Sequence, residues 1–462
     1  MSWVPISWPV NLFAGRRYAV VGLGRNGLPV ARALLAIGAD VAVWDDRPDA
    51  RACAGLMLHD PALGLEGFDA LVLSPGIPHL LPAPHPAALA ARAAGIPILS
   101  DAELLFQAVR AAGSRARFAG ITGTNGKSTT TALLAHILTV AGVPNAAGGN
   151  LGTASLALPL LPGSGAYVLE MSSYMLERLH TLRFDAATLL NLSPDHLDRH
   201  GDMAGYIAAK RHVFDRQGPG DAAVVGIDDP DSAALPGTAT ISGHRPATVW
   251  CDGAMLRDAA GPVLAMAEAP ALPGMHNAQN AAAAAALAGA LGADRGAIAR
   301  GIATFAGLPH RQQLVARVDG VAWVNDSKAT NADAAARALV CYPRLVWIAG
   351  GQAKAGGIEA LRPLLPRIAH AMLIGQDASL LAATLADAGI PHSMAGTLDA
   401  AVPLAAAAAR RLDAPVVLLS PACASFDQFT GFEARGDRFA ALAAMQHMPT
   451  LHMPIQQMQG AA

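Results

Sequence analysis

Lysine is almost absent from this chain of 462 residues: of 33 basic residues only Lys127, Lys210, Lys328 and Lys354 are lysines. Cysteine is as scarce. Cys53, Cys251, Cys341 and Cys423 are scattered without metal-ligand spacing, which argues against a thiolate metal site and fits reduced thiols. Long apolar runs are missing too. The most apolar stretch, Ala281 to Gly292, is Ala-rich and too short to cross a bilayer, so no membrane insertion is expected. Met1 to Arg17 lack a basic start and contain Pro5 and Pro9, unlike a signal peptide, and a cytoplasmic location is expected. Neither sign of charge dominates: the net charge is −2 and no basic stripe occurs, so nucleic acid is not an expected partner.

What is present is core-forming material. Hydrophobic residues make up 53% and charged residues 15%, the balance of a folded chain with several cores. The length suggests about three domains of roughly 150 residues. Drift in genome composition explains why lysine is rare, but not where the four survivors sit. Arginine cannot imitate a compact ammonium group, nor shed its proton to become a nucleophile. Each surviving lysine is therefore a candidate functional residue.

Strand-like runs alternate with Ala/Leu-rich helical stretches throughout, the pattern of parallel sheets covered by helices. In a first segment, 1–113, strands are expected at Tyr18–Val21, Val41–Trp44 and Ala70–Leu73, with a helix from about Leu28 to Ile37. A second segment, 114–309, has strands at Phe118–Ile121, Tyr167–Glu170, Ala187–Leu190 and Ala222–Val225. Its helices run from Lys127 to about Ala141, Asn277 to about Ala290 and Arg295 to Phe305, and Leu308-Pro309 marks an expected hinge. A third segment, 310–446, has strands at Val321–Val324, Arg344–Ile348, Ala371–Ile374 and Val416–Leu419. The tail, 447–462, carries Met, Gln and Pro and is expected to be poorly ordered.

Two glycine-rich turns stand out. Gly22-x-Gly24-x-x-Gly27 follows a strand, with Asp45 at the end of the next, and fits a dinucleotide-binding turn; a plain tight turn is the alternative. Gly120-Ile-Thr-Gly123-Thr124-Asn125-Gly126-Lys127-Ser128 is more specific, because it joins a strand to a helix as a phosphate loop must. Its backbone N–H groups would cradle ATP phosphates, Lys127 would reach the β and γ groups, and Ser128 would ligate Mg²⁺. Ile121 stands where the first glycine of the common pattern belongs.

The variant Thr122-Gly-Thr-Asn-Gly-Lys-Ser resembles the signature of the Mur ligases and the related folylpolyglutamate synthetases. The resemblance extends from about Tyr18 to Arg438 and implies an α/β fold of three domains. These are a Rossmann-like N-terminal domain, a central P-loop ATPase-type domain with a parallel sheet, and a Rossmann-like C-terminal domain. It also implies an ATP-dependent ligase that activates a carboxylate as an acyl phosphate and couples it to an amine. Glu170 in Leu-Glu-Met-Ser-Ser, His196 in Asn-Leu-Ser-Pro-Asp-His and Lys210 in Tyr-Ile-Ala-Ala-Lys match the family's catalytic positions. With Ser128 they would hold two Mg²⁺ ions, Lys210 as a carbamate formed from CO₂. A core histidine or a surface lysine is the plainer alternative at each position. Thr129, Asn277, Asn280, Arg311 and Asp326 would complete the ATP site, with a simple helix cap as the alternative for Asn277.

In the third segment, Asp326-Ser-Lys328-Ala-Thr330-Asn331, Gly350-Gly-Gln-Ala-Lys354 and Ser420–Gly436 resemble the branch of the family that adds D-glutamate. Lys328, Thr330, Lys354, Ser425 and Phe432 would then bind that amino acid, whose two carboxylates need several donors. By the same resemblance the N-terminal segment would bind the UDP-N-acetylmuramoyl-L-alanine acceptor, not a nicotinamide. The candidates are Gly24, Arg25, Asn26, Gly27, Asp45, Asp46, Arg47, Ser74, Pro75, Gly76 and Asn150. Arg25 and Asn26 depart from the Leu-Thr common there, which implies rearranged base contacts. A monomer is expected. A folylpolyglutamate-type ligase, a dehydrogenase and a non-enzymatic ATP switch are the competing readings.

Overall fold

The computed structural model describes residues 6–150, 152–354 and 356–446, and the tail from 447 lies outside them. The chain divides between Phe305 and Ala306 into two compact units.

The first unit holds two sheets. Strands β1 (Arg17–Val21), β2 (Asp40–Trp44), β3 (Ala70–Leu73) and β4 (Ile98–Leu99) form an all-parallel sheet in the order β2-β1-β3-β4. Val20, Val21, Val41, Val43 and Val72 are all buried in it, as expected of a sheet covered on both faces. The second sheet comprises β5 (Arg117–Thr122), β6 (Asn145–Gly149), β7 (Ala166–Glu170), β8 (Ala186–Leu189), β9 (Ala222–Gly226), β10 (Ala239–Ser242), β11 (Val249–Cys251), β12 (Met255–Asp258) and β13 (Gly261–Ala265). Its order is β13-β12-β11-β10-β9-β8-β5-β7-β6. The sheet is parallel from β6 to β11, as expected for a phosphate-loop domain, but β12 and β13 add an antiparallel hairpin. Pro262 lies on the outermost strand, where its missing N–H costs no inner ladder bond.

Small residues let helices crowd the phosphate-loop helix Lys127–Val140. Helix Met275–Ala290 buries Ala281 to Ala285 beside it. Helix Arg295–Thr304 approaches so closely that a Cβ on Gly301 would stand 2.8 Å from Ile137 Cα. Two buried carboxylates stitch the segments of this unit together. Glu103, fully buried on helix Asp101–Ala111, accepts the backbone N–H groups of His180 (2.9 Å), Thr181 (3.0 Å) and Leu182 (2.9 Å). Burial pushes its carboxyl up, but the hydroxyl of Thr181 and these N–H groups outweigh that and hold it below the ordinary range. Asp101 accepts the N–H of Ser155 at 2.6 Å.

The second unit is a six-stranded sheet of β14 (Gln313–Val318), β15 (Val321–Asn325), β16 (Leu345–Gly350), β17 (Ile368–Ile374), β18 (His392–Gly396) and β19 (Val416–Leu419). The order is β14-β15-β19-β16-β17-β18, parallel except for the edge strand β14. Every loop that carries an expected D-glutamate residue leaves the C-terminal end of β15, β16 or β19, where open parallel sheets bind ligands.

Glu103→Ala removes the shared acceptor of three backbone donors, of which that of Leu182 is buried, and is expected to lower unfolding stability by about 2 kcal/mol. Urea unfolding of parent and variant measures it; an unchanged midpoint would show that these bonds contribute nothing net.

Candidate functional site

The phosphate loop takes its shape from two glycines. Gly123 (φ 142°) and Gly126 (φ 84°) occupy backbone regions that side chains rarely adopt, and Gly126 is the cap before helix Lys127–Val140. A Cβ on Gly126 would lie 2.2 Å from Asn280 Oδ1, so helix Met275–Ala290 presses directly on the loop. Asn280 donates to Asn277 (3.1 Å), which in turn donates to the Pro273 carbonyl (2.8 Å). Asn277, the third residue of that helix, therefore braces the chain entering it; Gly274, not Asn277, stands at the cap position. On the other side, the N–H groups of Thr124 and Asn125 bond to Asn191 (both 2.9 Å), and the Thr124 hydroxyl meets Tyr206 Oη at 3.2 Å. Ser128 is buried and Thr129 half-buried on the first turn of the helix.

Two of the four lysines converge here. Lys127 Nζ donates to the carbonyls of Gly123 (2.9 Å) and Thr124 (2.8 Å). Lys210 Nζ, 87 residues later, donates to the same Gly123 carbonyl at 2.9 Å. Lys210 is 2% exposed, with its ammonium 4.6 Å from the centre of the Tyr206 ring. Burial first, and then the charge of Lys127, hold its pKa well below the ordinary lysine value.

Glu170 ends β7 and is buried. Its Oε1 accepts from Asn150 Nδ2 at 2.6 Å, while Oε2 is buried with no hydrogen-bond partner. Asn150, expected to serve the acceptor, thus also holds this carboxylate. His196 is half-exposed with φ 53°, and its ring is 5.3 Å from that of Tyr174. Burial lowers its pKa, outweighing the opposing charge of Asp195 and favouring the neutral ring a metal ligand requires. No group of three or more His, Cys, Asp or Glu side chains able to hold a metal occurs among the described residues. Glu170 and His196 alone do not make a magnesium centre. The orphaned Glu170 oxygen, the Ser128 hydroxyl and a carboxylated Lys210 together would fit one.

At the other glycine turn, Gly22 has φ 91°, and a Cβ on Gly27 would stand 1.8 Å from the Gly22 carbonyl. Ser74 Oγ donates to that carbonyl at 2.8 Å, tying the turn after β3 to the turn after β1. Asp45 is already engaged. Its oxygens accept the N–H groups of Leu23 (2.7 Å) and Arg47 (3.0 Å), which outweigh burial and hold its carboxyl low. Asp46 is exposed and pairs with His85 at 3.0 Å. Arg25 and Gly24 are exposed, and Asn26 precedes helix Gly27–Ala36 without a side-chain capping bond. Gly76 accepts from Arg199 at 3.0 Å.

In the second unit Asp326 follows β15, accepts from Ser420 Oγ at 2.7 Å and from the Gln312 N–H at 3.2 Å, and lies near the charge of Arg311. Lys328 Nζ stands 3.9 Å from the centre of the Phe432 ring. Thr330 donates its N–H to the Lys328 carbonyl at 2.9 Å, Ser425 is buried, and Lys354 is exposed.

Residues 121–288 match the Mur ligase middle domain. Over 453 residues the chain is 53% identical to the UDP-N-acetylmuramoylalanine–D-glutamate ligase of Paramagnetospirillum magneticum, covering 94% of this chain and 97% of that protein. It is 48% identical over 457 residues to the enzyme of the same name from Caulobacter vibrioides, covering 94% and 96%. The chain belongs to the Mur ligase family. Among solved structures it is similar in fold to UDP-N-acetylmuramate–alanine ligase from Thermotoga maritima (18% identity, 92% and 98% of the two chains, TM-score 0.59). It is likewise similar to MurF from Acinetobacter baumannii (19%, 93% and 91%, TM-score 0.57).

Two buried arginines of this Mur ligase were given no role from its sequence, Arg435 standing there only as part of the Ser420–Gly436 run. Arg435, 1% exposed, donates to the Ser327 hydroxyl (3.0 Å) and carbonyl (2.9 Å) and to the Cys423 carbonyl (3.2 Å). It thereby ties together two loops expected to bind the amino acid. Arg178 makes an analogous set of bonds in the first unit. Their acceptors are mostly main-chain carbonyls, which leave no trace in side-chain patterns.

Burial raises the Asp326 carboxyl to about 7, against the bonds from Ser420 and Gln312. The folded protein then keeps a proton that the unfolded chain has already released, so Asp326 erodes stability as pH rises from about 4 to 7. Asp326→Asn is expected to flatten that decline and to melt above the parent at pH 8 but not at pH 4.5. Thermal unfolding at the two pH values tests it, and equal slopes for the two proteins would refute it.

Proposed function

We propose that this chain is the ATP-dependent ligase that joins D-glutamate to UDP-N-acetylmuramoyl-L-alanine, through an acyl phosphate, in cytoplasmic peptidoglycan precursor synthesis. The observation that carries the chemistry is the meeting of Lys127 and Lys210 on one phosphate-loop carbonyl, within electrostatic reach of Glu170. The names of the relatives at 53% and 48% identity supply the substrates.

A carboxylate oxygen is a poor leaving group in water, and phosphorylation of the L-alanyl carboxylate replaces it with a good one. That transfer brings two anions together. Lys127 and the N–H groups of the loop offset the repulsion at the γ-phosphate. Two bound magnesium ions would add Lewis-acid charge there, held by Ser128, Glu170, His196 and Lys210 as its carbamate. Only a neutral amine adds CO₂, and the burial of Lys210 favours that form, which arginine could not supply. Gly123–Thr129, Asn277, Asn280, Arg311 and Asp326 serve ATP. The glycine turn after β1, residues 45–47 and residues 74–76 serve the acceptor. The D-glutamate amine then attacks the acyl phosphate, with its carboxylates on Lys328, Thr330, Lys354, Ser425 and Phe432.

A folylpolyglutamate-type or other Mur-type ligase would share the phosphate loop, and the relatives argue against it. Phosphate release by purified protein decides: it should require ATP, the UDP-linked acceptor and D-glutamate together, and activity with another amino acid in its place would overturn the assignment. Lys210→Ala should reduce turnover at least a hundredfold, with partial recovery in millimolar acetate or another short carboxylate. Absence of recovery, with ATP binding intact, would count against the carbamate. Lys354→Arg should raise KM for D-glutamate tenfold or more while leaving that for ATP within twofold; the reverse would move Lys354 out of the amino-acid pocket.

A further inference from the structure

Arg178 has no role in the chemistry above, yet it is among the most deeply buried charged residues of the first unit, at 1% exposure. It follows the short helix Ser173–Leu176, eight positions after Glu170, and its guanidinium reaches back across more than a hundred residues. One terminal nitrogen donates to the carbonyls of Leu73 (2.6 Å) and Ser74 (3.2 Å). The other donates to the carbonyl of Ile77 (2.7 Å) and lies 3.4 Å from His79 Nδ1. These acceptors bracket the turn Ser74-Pro75-Gly76. Ser74 in turn holds the Gly22 carbonyl at 2.8 Å, so one guanidinium fixes the turn after β3 and, through it, the glycine turn after β1. A cavity at this place is lined by Asn26, Gly27, Ser74, Pro75, Met175 and Arg178.

Carbonyl oxygens repel a diphosphate. A planar guanidinium can cover several at once and leave a full positive charge behind them, which a point-like ammonium cannot do. We propose that Arg178 is a positioning residue for the nucleotide-linked acceptor: it turns the carbonyls of Leu73, Ser74 and Ile77 inward and locks the turn that faces the acceptor's phosphates. It touches no reacting atom and acts through the turn. This rests on the reading above that the turns at residues 24–27 and 74–76 bind the UDP moiety.

Steady-state kinetics of Arg178→Met and Arg178→Lys test it, with calorimetric binding of UDP as a second readout. The methionine variant is expected to raise KM for UDP-N-acetylmuramoyl-L-alanine tenfold or more and to weaken UDP binding by a similar factor. KM for ATP and D-glutamate should stay within twofold and kcat within threefold. The lysine variant, with charge but no fork, should raise the acceptor KM about threefold, and it decides the matter if the methionine variant does not fold. A purely structural arginine would shift all three KM values together, or lower kcat and stability alone. Either pattern, or an unchanged acceptor KM, overturns the proposal. Parent protein that does not turn over this acceptor with D-glutamate would instead sink the ligase assignment, so the two failures are distinguishable.

Discussion

Everything at the phosphate loop depends on two ammonium groups sharing one carbonyl. Lys127 and Lys210 both donate to the Gly123 oxygen at 2.9 Å, a crowding of like charge that is costly where water is excluded. Lys127 is only partly buried, whereas Lys210 is buried and its charged form is disfavoured. The loop's geometry thus sorts two chemically identical side chains into a half-buried one and a buried one whose charge is disfavoured. The sorting depends on the left-handed turn at Gly126, which Asn280 leaves no room to alter.

Around that pair, the first unit is held by long-range bonds from buried charges to main-chain groups. Glu103 collects N–H groups at residues 180–182, and Arg178 collects carbonyls at residues 73–77. Each charge is spread over several dipoles, which lets it stay ionised without an opposite charge in contact. Arg435 repeats the device in the second unit. Loops expected to bind two different substrates are in this way fastened from behind by Arg178 and Arg435, which need not meet either of them.

The strands that form the middle of each sheet were legible because they are runs of Val, Ile and Leu between turn residues. The strand Asn145–Gly149 was not, since Asn-Ala-Ala-Gly-Gly has no strand preference of its own and pairs only because β7 offers a partner. The edge hairpin β12–β13 and the strand His392–Gly396 escaped notice for the same reason. At the site, Lys127 and Ser128 could be placed from spacing alone, because a phosphate loop is local in sequence. Lys210 and Glu170 were found through their motifs, but the 87-residue closure that brings Lys210 to Gly123 is a property of the fold. Asn277 could be read from sequence as an ATP-site residue or as a helix cap; Gly274 stands at the cap position, and the Asn277 side chain donates to the Pro273 carbonyl.

The shortage of lysine has a further consequence for how the molecule meets reactive small molecules. Its surface carries positive charge almost entirely as guanidinium, which resists acylating agents and aldehydes at neutral pH. Of the four primary amines on its side chains, Lys354 is exposed, Lys328 lies against a ring, and the other two are bound at the phosphate loop. Adventitious amine damage has few harmless places to land, so the extent of such labelling tracks the condition of the working residues themselves.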